Sequence, residues 1–327
     1  MNKQIYDSIS LLAEYDFPIG GAQRMLSIIS KRMNKPVYVL TKNKVIGPIW
    51  DINPIPEMPK TSVIFSPVVD KFQLQSFLGK KQIKFCHSGN SLDNFVKDKK
   101  AKEINWLTHR KRVYEFWKNK GFNIELIEKG YIPYDKREIE KTPYKKDQGI
   151  FISRICPDKA PDLAIETFED VPLYVVGSHE FKDYICFLKK SINGKNINFI
   201  PPDNGVAVSL ETRDNLLKES KILVHCSLGG MHDYLEYSIL DGLIFNCIPL
   251  CITPNPEQFI VIEKKGIGKV VKTVEEAKKW LPQILENYGD YVSNSQKFMK
   301  QFLKNQDDLW LRWESKLEEI CSRLIEN

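Results

Sequence analysis

The sequence predicts an α/β protein made of two doubly wound parallel-sheet domains, and three observations carry that prediction. Short apolar runs rich in β-branched residues alternate with helical patterns over almost the whole chain, as they do in parallel sheets covered on both faces. The alternation pauses once, over residues 131–148, in polar text punctuated by Pro133 and Pro143 and carrying Lys136, Arg137, Lys145 and Lys146. Without apolar periodicity, that stretch reads as an interdomain linker. The length, 327 residues, also exceeds what one hydrophobic core usually serves. The expected division is residues 1–142, residues 143–305, and a closing helix over 306–327.

In the first half, strands are expected over residues 7–12, 36–41, 62–68, 82–87, 104–108 and 124–127. A helix is expected over 22–33, where Ala22, Met25, Leu26, Ile29 and Met33 recur at helical spacing after the Gly20-Gly21 pair. A second helix falls over 110–120. The second half restarts with a strand over 149–155, a helix over 160–168, a strand over 172–177, a helix over 180–192, a strand over 196–200 and a helix over 211–219. A buried strand over 221–226 then meets a glycine turn, followed by a helix whose first turns carry Asp233, Glu236 and Asp241. Pro249 begins a further strand over 248–253, and another follows over 268–271. From Thr273 onward the text is helical, with Leu309, Trp310, Trp313, Leu317, Ile320 and Leu324 on one flank of the last helix.

Composition narrows the function classes. Apolar residues make up 42% and charged residues 28%, which is globular rather than disordered. The N-terminus has no apolar run fit for a signal peptide, and no uncharged stretch approaches the roughly 18 residues needed to cross a bilayer. The expectation is a soluble, cytoplasmic protein without a transmembrane segment. Seven cysteines, an odd number without a Cys-x-x-Cys pair, read as buried free thiols. Five histidines without helical pairing around a carboxylate give no support for a metal site.

Charge divides the chain. Residues 1–145 carry 26 Lys and Arg against 15 Asp and Glu, whereas the remainder carries 22 against 27. Much of the excess lies in Lys97, Lys99, Lys100, Arg110, Lys111 and Arg112, interleaved with Trp106, Tyr114, Phe116 and Trp117. This pattern has two readings: a solvated helix face over core aromatics, or a surface for an anionic acceptor, polynucleotide or membrane.

The densest chemistry lies between Ser227 and Leu250. Free backbone N–H groups at a helix start attract phosphate, and the carboxylates Asp233, Glu236 and Asp241 at the same end suit hydrogen bonds from sugar hydroxyls. The combination suits a nucleotide-sugar. Earlier, the strand Gly149-Ile150-Phe151-Ile152-Ser153 ends in a loop bearing Arg154 and Lys159, two cations beyond the carboxyl edge of a sheet, where open α/β sheets bind ligands. Such cations can hold a diphosphate and neutralise its charge as it departs; the alternative is a pair of solvated loop charges.

In order and spacing, Gly20-Gly21-Ala22-Gln23-Arg24, Ser153-Arg154, Pro157-Asp158-Lys159, Leu173-Tyr174-Val175-Val176-Gly177, and Ser227, Asp233, Leu240-Asp241 and Pro249 resemble the landmarks of retaining GT-B glycosyltransferases. The resemblance covers nearly the whole chain and implies two Rossmann-like domains facing a central cleft, with an acceptor-side N-terminal domain and a donor-binding C-terminal one. It further implies that Asp241 accepts from the nucleotide ribose, that Asp233 or Glu236 contacts the donor sugar, and that N–H groups near Tyr237 and Ser238 cradle the diphosphate. Arg154 and Lys159 would stabilise the leaving phosphate in place of a metal ion. Gly20, Gly21, Gly177 and Ser227 would belong to the donor side. His87, at the end of an expected strand, would be acceptor-side, although Ser88 follows it where the family usually has aspartate. No covalent nucleophile is implied. The family's two glutamates stand here as Asp233 and Asp241, and bulkier Leu243, Ile244, Phe245 and Asn246 replace the usual small residues.

The frame Leu235-Glu236-Tyr237-x-x-Leu240-Asp241 is also similar to the corresponding site of the T-even phage DNA α-glucosyltransferases. The implied activity is transfer of a hexose, glucose by preference, from a nucleotide diphosphate such as UDP-glucose to a hydroxymethylated base in DNA. No cofactor other than this co-substrate is expected. A glycan or lipid head group remains an alternative acceptor, with peripheral contact to an anionic membrane. A UDP-sugar epimerase and a non-catalytic DNA-binding protein on the same fold are the alternatives in other classes.

Overall fold

The computed structural model describes residues 9–13, 21–34, 37–39, 52–54, 63–66, 81–86, 96–97, 99–127, 134, 138–141, 145–178, 181–192, 194–202, 208–228 and 235–326. The chain forms two compact units, the first comprising Met1–Asp135, Gly230–Asp233 and Asn305–Asn327, the second Lys136–Gly229 and Tyr234–Lys304. Each is built on a parallel sheet, which is the α/β class the alternation predicts.

In the first unit the strands are β1 (Ile9–Ala13), β2 (Val37–Val39), β3 (Ile52–Pro54), β4 (Val63–Ser66), β5 (Lys81–Phe85), β6 (Asn105–Thr108) and β7 (Ile124–Leu126). Their order is β3-β2-β1-β4-β5-β6-β7, all parallel. Helix α1 (Gly21–Met33) follows β1 with Met25 and Ile29 fully buried, as its apolar spacing requires. Helices α2 (Lys99–Glu103) and α3 (Lys111–Lys118) flank β6 in sequence. Strand β3 is absent from the sequence-based expectation because it is three residues long and ends in proline. It lies at the edge of the described sheet, where proline is tolerated.

The second unit holds β8 (Lys146–Ile152), β9 (Leu173–Val176), β10 (Ile197–Phe199), β11 (Ser220–Cys226), β12 (Ile248–Ile252) and β13 (Lys269–Val271). They run in the order β10-β9-β8-β11-β12-β13, again parallel throughout. Its helices are α4 (Pro161–Thr167), α5 (Lys182–Ser191), α6 (Leu210–Glu219), α7 (Tyr237–Ile244), α8 (Ile260–Lys264), α9 (Val274–Glu286) and α10 (Tyr288–Lys304). Phe151, Ile165, Phe168, Val175, Ile222, Val224, Ile248, Leu250 and Leu281 join in one core between the sheet and its helices.

β8 begins earlier than its apolar run suggests, so the expected linker loses its last residues to the sheet. Lys145 and Gln148 are buried there: Lys145 Nζ donates to the carbonyls of Leu217 (2.6 Å) and Ser220 (2.7 Å), and Gln148 donates to Ser220 Oγ. Burial pushes the Lys145 ammonium down from its usual range. Polar side chains with buried partners do not look like strand in sequence, which explains the shift.

The last helix, α11 (Gln306–Glu326), belongs to the first unit. Trp313 is fully buried against Phe85 of β5, with ring centroids 5.2 Å apart. Gln306 accepts from the backbone N–H of Tyr134 at 2.9 Å. Lys316 and Arg323 both pair with Glu125 of β7. Cys186 is exposed on α5, a correction to the expectation of buried thiols, whereas the other six cysteines are buried. Among the described residues no helix is long and apolar enough to cross a membrane, and no group of three or more His, Cys, Asp and Glu side chains could hold a metal ion.

Candidate donor site

The strand order of the second unit reverses between β8 and β11, so the loops leaving these two strands diverge at their carboxyl ends. Such switch points are where open α/β sheets bind ligands. The loop after β8 carries Arg154, which is exposed, and then a 3₁₀ turn, Pro157–Lys159. Gly177 at the end of β9 makes room for that loop. A Cβ on Gly177 would lie 1.8 Å from the carbonyl oxygen of Ser153. The loop is held in that groove by backbone bonds from Ser153 to Val176 and from Ile155 to Ser178. Gly177 therefore fits a close approach between two chain segments in the described structure, next to the expected donor site.

Lys159 sits at the end of the 3₁₀ turn, followed by buried Ala160 in the left-handed region at φ +40°. For a non-glycine residue this conformation is strained, and it turns the chain sharply from the 3₁₀ turn into α4. Lys159 Nζ lies 3.2 Å from each carboxylate oxygen of Glu236. The loop after β11 is tied to the same turn, because the N–H of Leu228 donates to the carbonyl of Asp158 at 3.1 Å. Ser227, one residue earlier, is buried and donates its N–H to Ile252 of β12.

Helix α7 starts later than the expected helix. Glu236 is its N-cap with extended backbone and no capping bond from its side chain, and Tyr237 and Ser238 form its first turn. The Glu236 carboxylate, which makes no capping bond, engages Lys159 instead. Glu236 Oε2 also lies 3.9 Å from Nε2 of His225, a buried residue at the end of β11 whose ring meets the edge of Phe259. Asp241, in the second turn, is only 1% exposed and pairs with Arg213 of α6, Nη1 to Oδ2, at 3.1 Å. Gly242 lets α7 lie hard against β11: a Cβ there would sit 2.7 Å from Leu223 Cδ2. The bulky residues after Asp241 (Leu243, Ile244, Phe245 and Asn246) are all buried, so they serve the packing of this helix.

The structure thus brings Lys159 and Glu236 together and places Arg154, Gly177, Ser227, Tyr237, Ser238 and Asp241 on the loops and helix around the same sheet edge. Gly20, His87 and Asp233 lie outside the described residues, and Gly21 opens α1. Sequence reasoning missed Arg213 and His225. Arg213 sits in an ordinary charged helical turn, and His225 sits in an apolar strand, so neither carries a local signal.

On the first unit, Lys97, Lys99, Lys111 and Arg112 are exposed, and Lys100 belongs to α2. Arg110 is a correction: it is 1% exposed at the N-cap of α3, where its N–H donates to Thr108 Oγ1 at 3.2 Å, and so it is not part of a solvent-facing basic surface. Of the interleaved aromatics, Trp106 and Trp117 are core, Tyr114 is partly buried against them and Phe116 is exposed. Trp106, Val113, Trp117 and Phe122 pack together, and Lys120 lies over the rings of Phe116 and Trp117.

Two doubly wound parallel sheets are the components of the GT-B fold. A search of solved structures agrees. The chain is similar to a TarM variant from S. aureus in complex with fondaparinux, alpha-GlcNAc-glycerol and UDP, with TM-score 0.56 and 14% identity over 78% of this chain and 55% of that one. It is similar over 92% of its length, and 98% of the other chain, to AviGT4, a glycosyltransferase involved in avilamycin A biosynthesis, with TM-score 0.54 and 12% identity. A trehalose 6-phosphate synthase from Burkholderia multivorans aligns with TM-score 0.61 and 9% identity over 97% of this chain and 99% of its own. The chain spans little more than half the length of TarM. No protein-family model matches the sequence, and no curated protein matches it.

Proposed function

We propose that the protein is a retaining, metal-independent glycosyltransferase that moves a hexose from a nucleotide diphosphate, UDP-glucose as the first choice, to an acceptor hydroxyl. The observation that carries this reading is the Lys159 turn at the switch point of the second sheet, with Arg154 on the same loop and the start of α7 held against it through Glu236. In the reaction the bond from the anomeric carbon to the diphosphate breaks and a bond to the acceptor oxygen forms on the same face. The acceptor proton passes to the departing phosphate oxygen. Arg154 and Lys159 carry the developing negative charge, the role for which preorganised cations are most effective. N–H groups of Tyr237 and Ser238 face the diphosphate at the start of α7. Glu236 or Asp233 contacts the sugar, and Asp241 the ribose.

For the acceptor, the exposed Lys97, Lys99, Lys111 and Arg112 favour a polyanion, and a hydroxymethylated base in duplex DNA is the reading taken. The second reading is a small glycan or lipid head group; the TarM structure, which holds alpha-GlcNAc-glycerol and UDP, favours it. Incubation with UDP-glucose and, separately, hydroxymethylated duplex DNA, an oligosaccharide and a glycerol-phosphate acceptor tests both. A mass gain of one hexose on the DNA, with release of UDP, is the expected result. Transfer only to the small acceptors overturns the DNA reading, and an epimerised sugar without released UDP overturns the transferase.

A further inference from the structure

Asn246 stands just beyond the C-cap of α7, in the left-handed region at φ +56°, a place where helices usually carry glycine. Its N–H donates to the carbonyl of Leu243 at 3.1 Å, and the N–H of Cys247 donates to Gly242 at 2.7 Å. These are the two closing bonds of a Schellman turn. Glycine would close the same turn with less strain, so the asparagine side chain needs a reason of its own. Its partners give one. Nδ2 donates to the carbonyl of Glu140 at 2.9 Å, and Oδ1 accepts from Nε2 of Gln296 on α10 at 3.3 Å. The amide is thus oriented by α10 and directed at a segment 106 residues earlier in the chain.

Glu140 returns the contact. Its N–H donates at 2.9 Å to the carbonyl of Ile244, one of the helix-end carbonyls that the Schellman turn leaves without an intrahelical partner. The hydroxyl of Tyr288 donates to the Asn246 carbonyl at 2.8 Å, and Asn246 itself is 1% exposed. The chain passes from the first unit to the second between Asp135 and Lys136, so Glu140 lies just past that boundary. Residues 138–141 have no regular secondary structure, and hydrogen bonds of this kind, rather than a ladder, order them. Helix α7 has eight residues, which at 1.5 Å per residue makes it about 12 Å long, and all but Ser238 are buried. A buried helix of two turns moves as one body. Whatever holds its first turn, beside the Lys159–Glu236 pair, also restrains its last, which holds Glu140.

We infer that Asn246 is a positioning residue that couples the donor site at the start of α7 to residues 138–141, so that binding of a nucleoside diphosphate stiffens the segment by which the chain enters the second unit. The inference rests on the donor reading of that site. Asn246 touches no ligand; it acts through α7 and through the two bonds that join the end of this helix to Glu140.

The test is amide hydrogen exchange of the full chain with and without saturating UDP, read over residues 138–141, beside calorimetric binding of UDP. In the wild type, UDP should slow exchange there by roughly threefold or more, as expected of a segment whose local opening is coupled to ligand. Asn246→Gly keeps the left-handed turn and removes only the side chain. It should bind UDP within roughly threefold of the wild type and lose the exchange response. Tyr288→Phe removes the bond to the Asn246 carbonyl but leaves the amide in place, and it should keep the response. If Asn246→Gly does not fold, Gln296→Leu, which takes away the partner that orients the amide, should lose at least half of it. A full response in Asn246→Gly or in Gln296→Leu, or a response lost equally in Tyr288→Phe, overturns the inference. Wild-type protein that binds UDP without slower exchange at 138–141 overturns it too and leaves the donor reading standing. Absence of UDP binding brings down both.

Discussion

Lys159 and Glu236, 77 residues apart in sequence, meet so that one ammonium lies 3.2 Å from both oxygens of one carboxylate. The pair is only partly exposed, at 17% and 19% of the side chains, and it joins the turn after β8 to the first residue before α7. A diphosphate bound at this edge would compete with Glu236 for Lys159. Lys159→Ala should therefore weaken UDP by tenfold to a hundredfold, the range of a charge-assisted hydrogen bond of about 1.5–3 kcal/mol. Glu236→Gln removes the competitor and should tighten UDP up to about fivefold, on the order of 1 kcal/mol for a partly solvated pair. Calorimetric binding of UDP measures both, and weaker binding by the glutamine variant would show that Glu236 assists the diphosphate.

Gly177→Ala tests the packing of the loop that carries Arg154. The added methyl would stand 1.8 Å from the carbonyl of Ser153, so backbone must move. Overpacking of this kind costs about 1–3 kcal/mol. The expected outcome is a lower midpoint in urea together with weaker UDP binding, because Arg154 follows Ser153 directly. A variant with unchanged UDP binding would separate the glycine from the site.

Glu125 should make the anchoring of α11 sensitive to acid. Burial favours the neutral carboxyl, but hydrogen bonds and charge from Arg323 and Lys316 outweigh it and hold the group below its usual range. A carboxyl depressed in the folded state adds stability that is present above the unfolded value near 4.5 and lost as pH falls through the folded one. Solvent screening keeps the contribution to about 1 kcal/mol or less. Tryptophan fluorescence, to which buried Trp313 contributes, should report loosening of α11 in acid below about pH 4.5, and Glu125→Gln should flatten that part of the profile.

Thiol chemistry gives a rapid check on the fold. Cys186 is the exposed cysteine, and burial raises the thiol of Cys226 and pushes that of Cys321 up to about 12. A water-soluble thiol reagent should label one cysteine quickly in the native protein and seven after denaturation. Cys186→Ser should abolish the fast phase.

The sequence by itself determined both parallel sheets and the loop that carries the proposed chemistry. Alternating apolar strands and amphipathic helices are local patterns, written within 5 to 15 residues. The strand before Arg154, the glycine after β9 and the proline that opens β12 could therefore be read directly. Tertiary structure decided which charges meet. Arg213 reads as a solvated helix residue until α6 packs where its guanidinium reaches Asp241, and Arg110 reads as part of a basic surface until burial at the start of α3 removes it. Glu236 sits in an expected helical turn in the sequence, but in the structure it stands at the N-cap position with its carboxylate paired to Lys159. The physical reason is common to all three. Periodicity reports which face of an element is apolar, whereas the partner of a polar side chain depends on which distant element is brought within 3 to 4 Å.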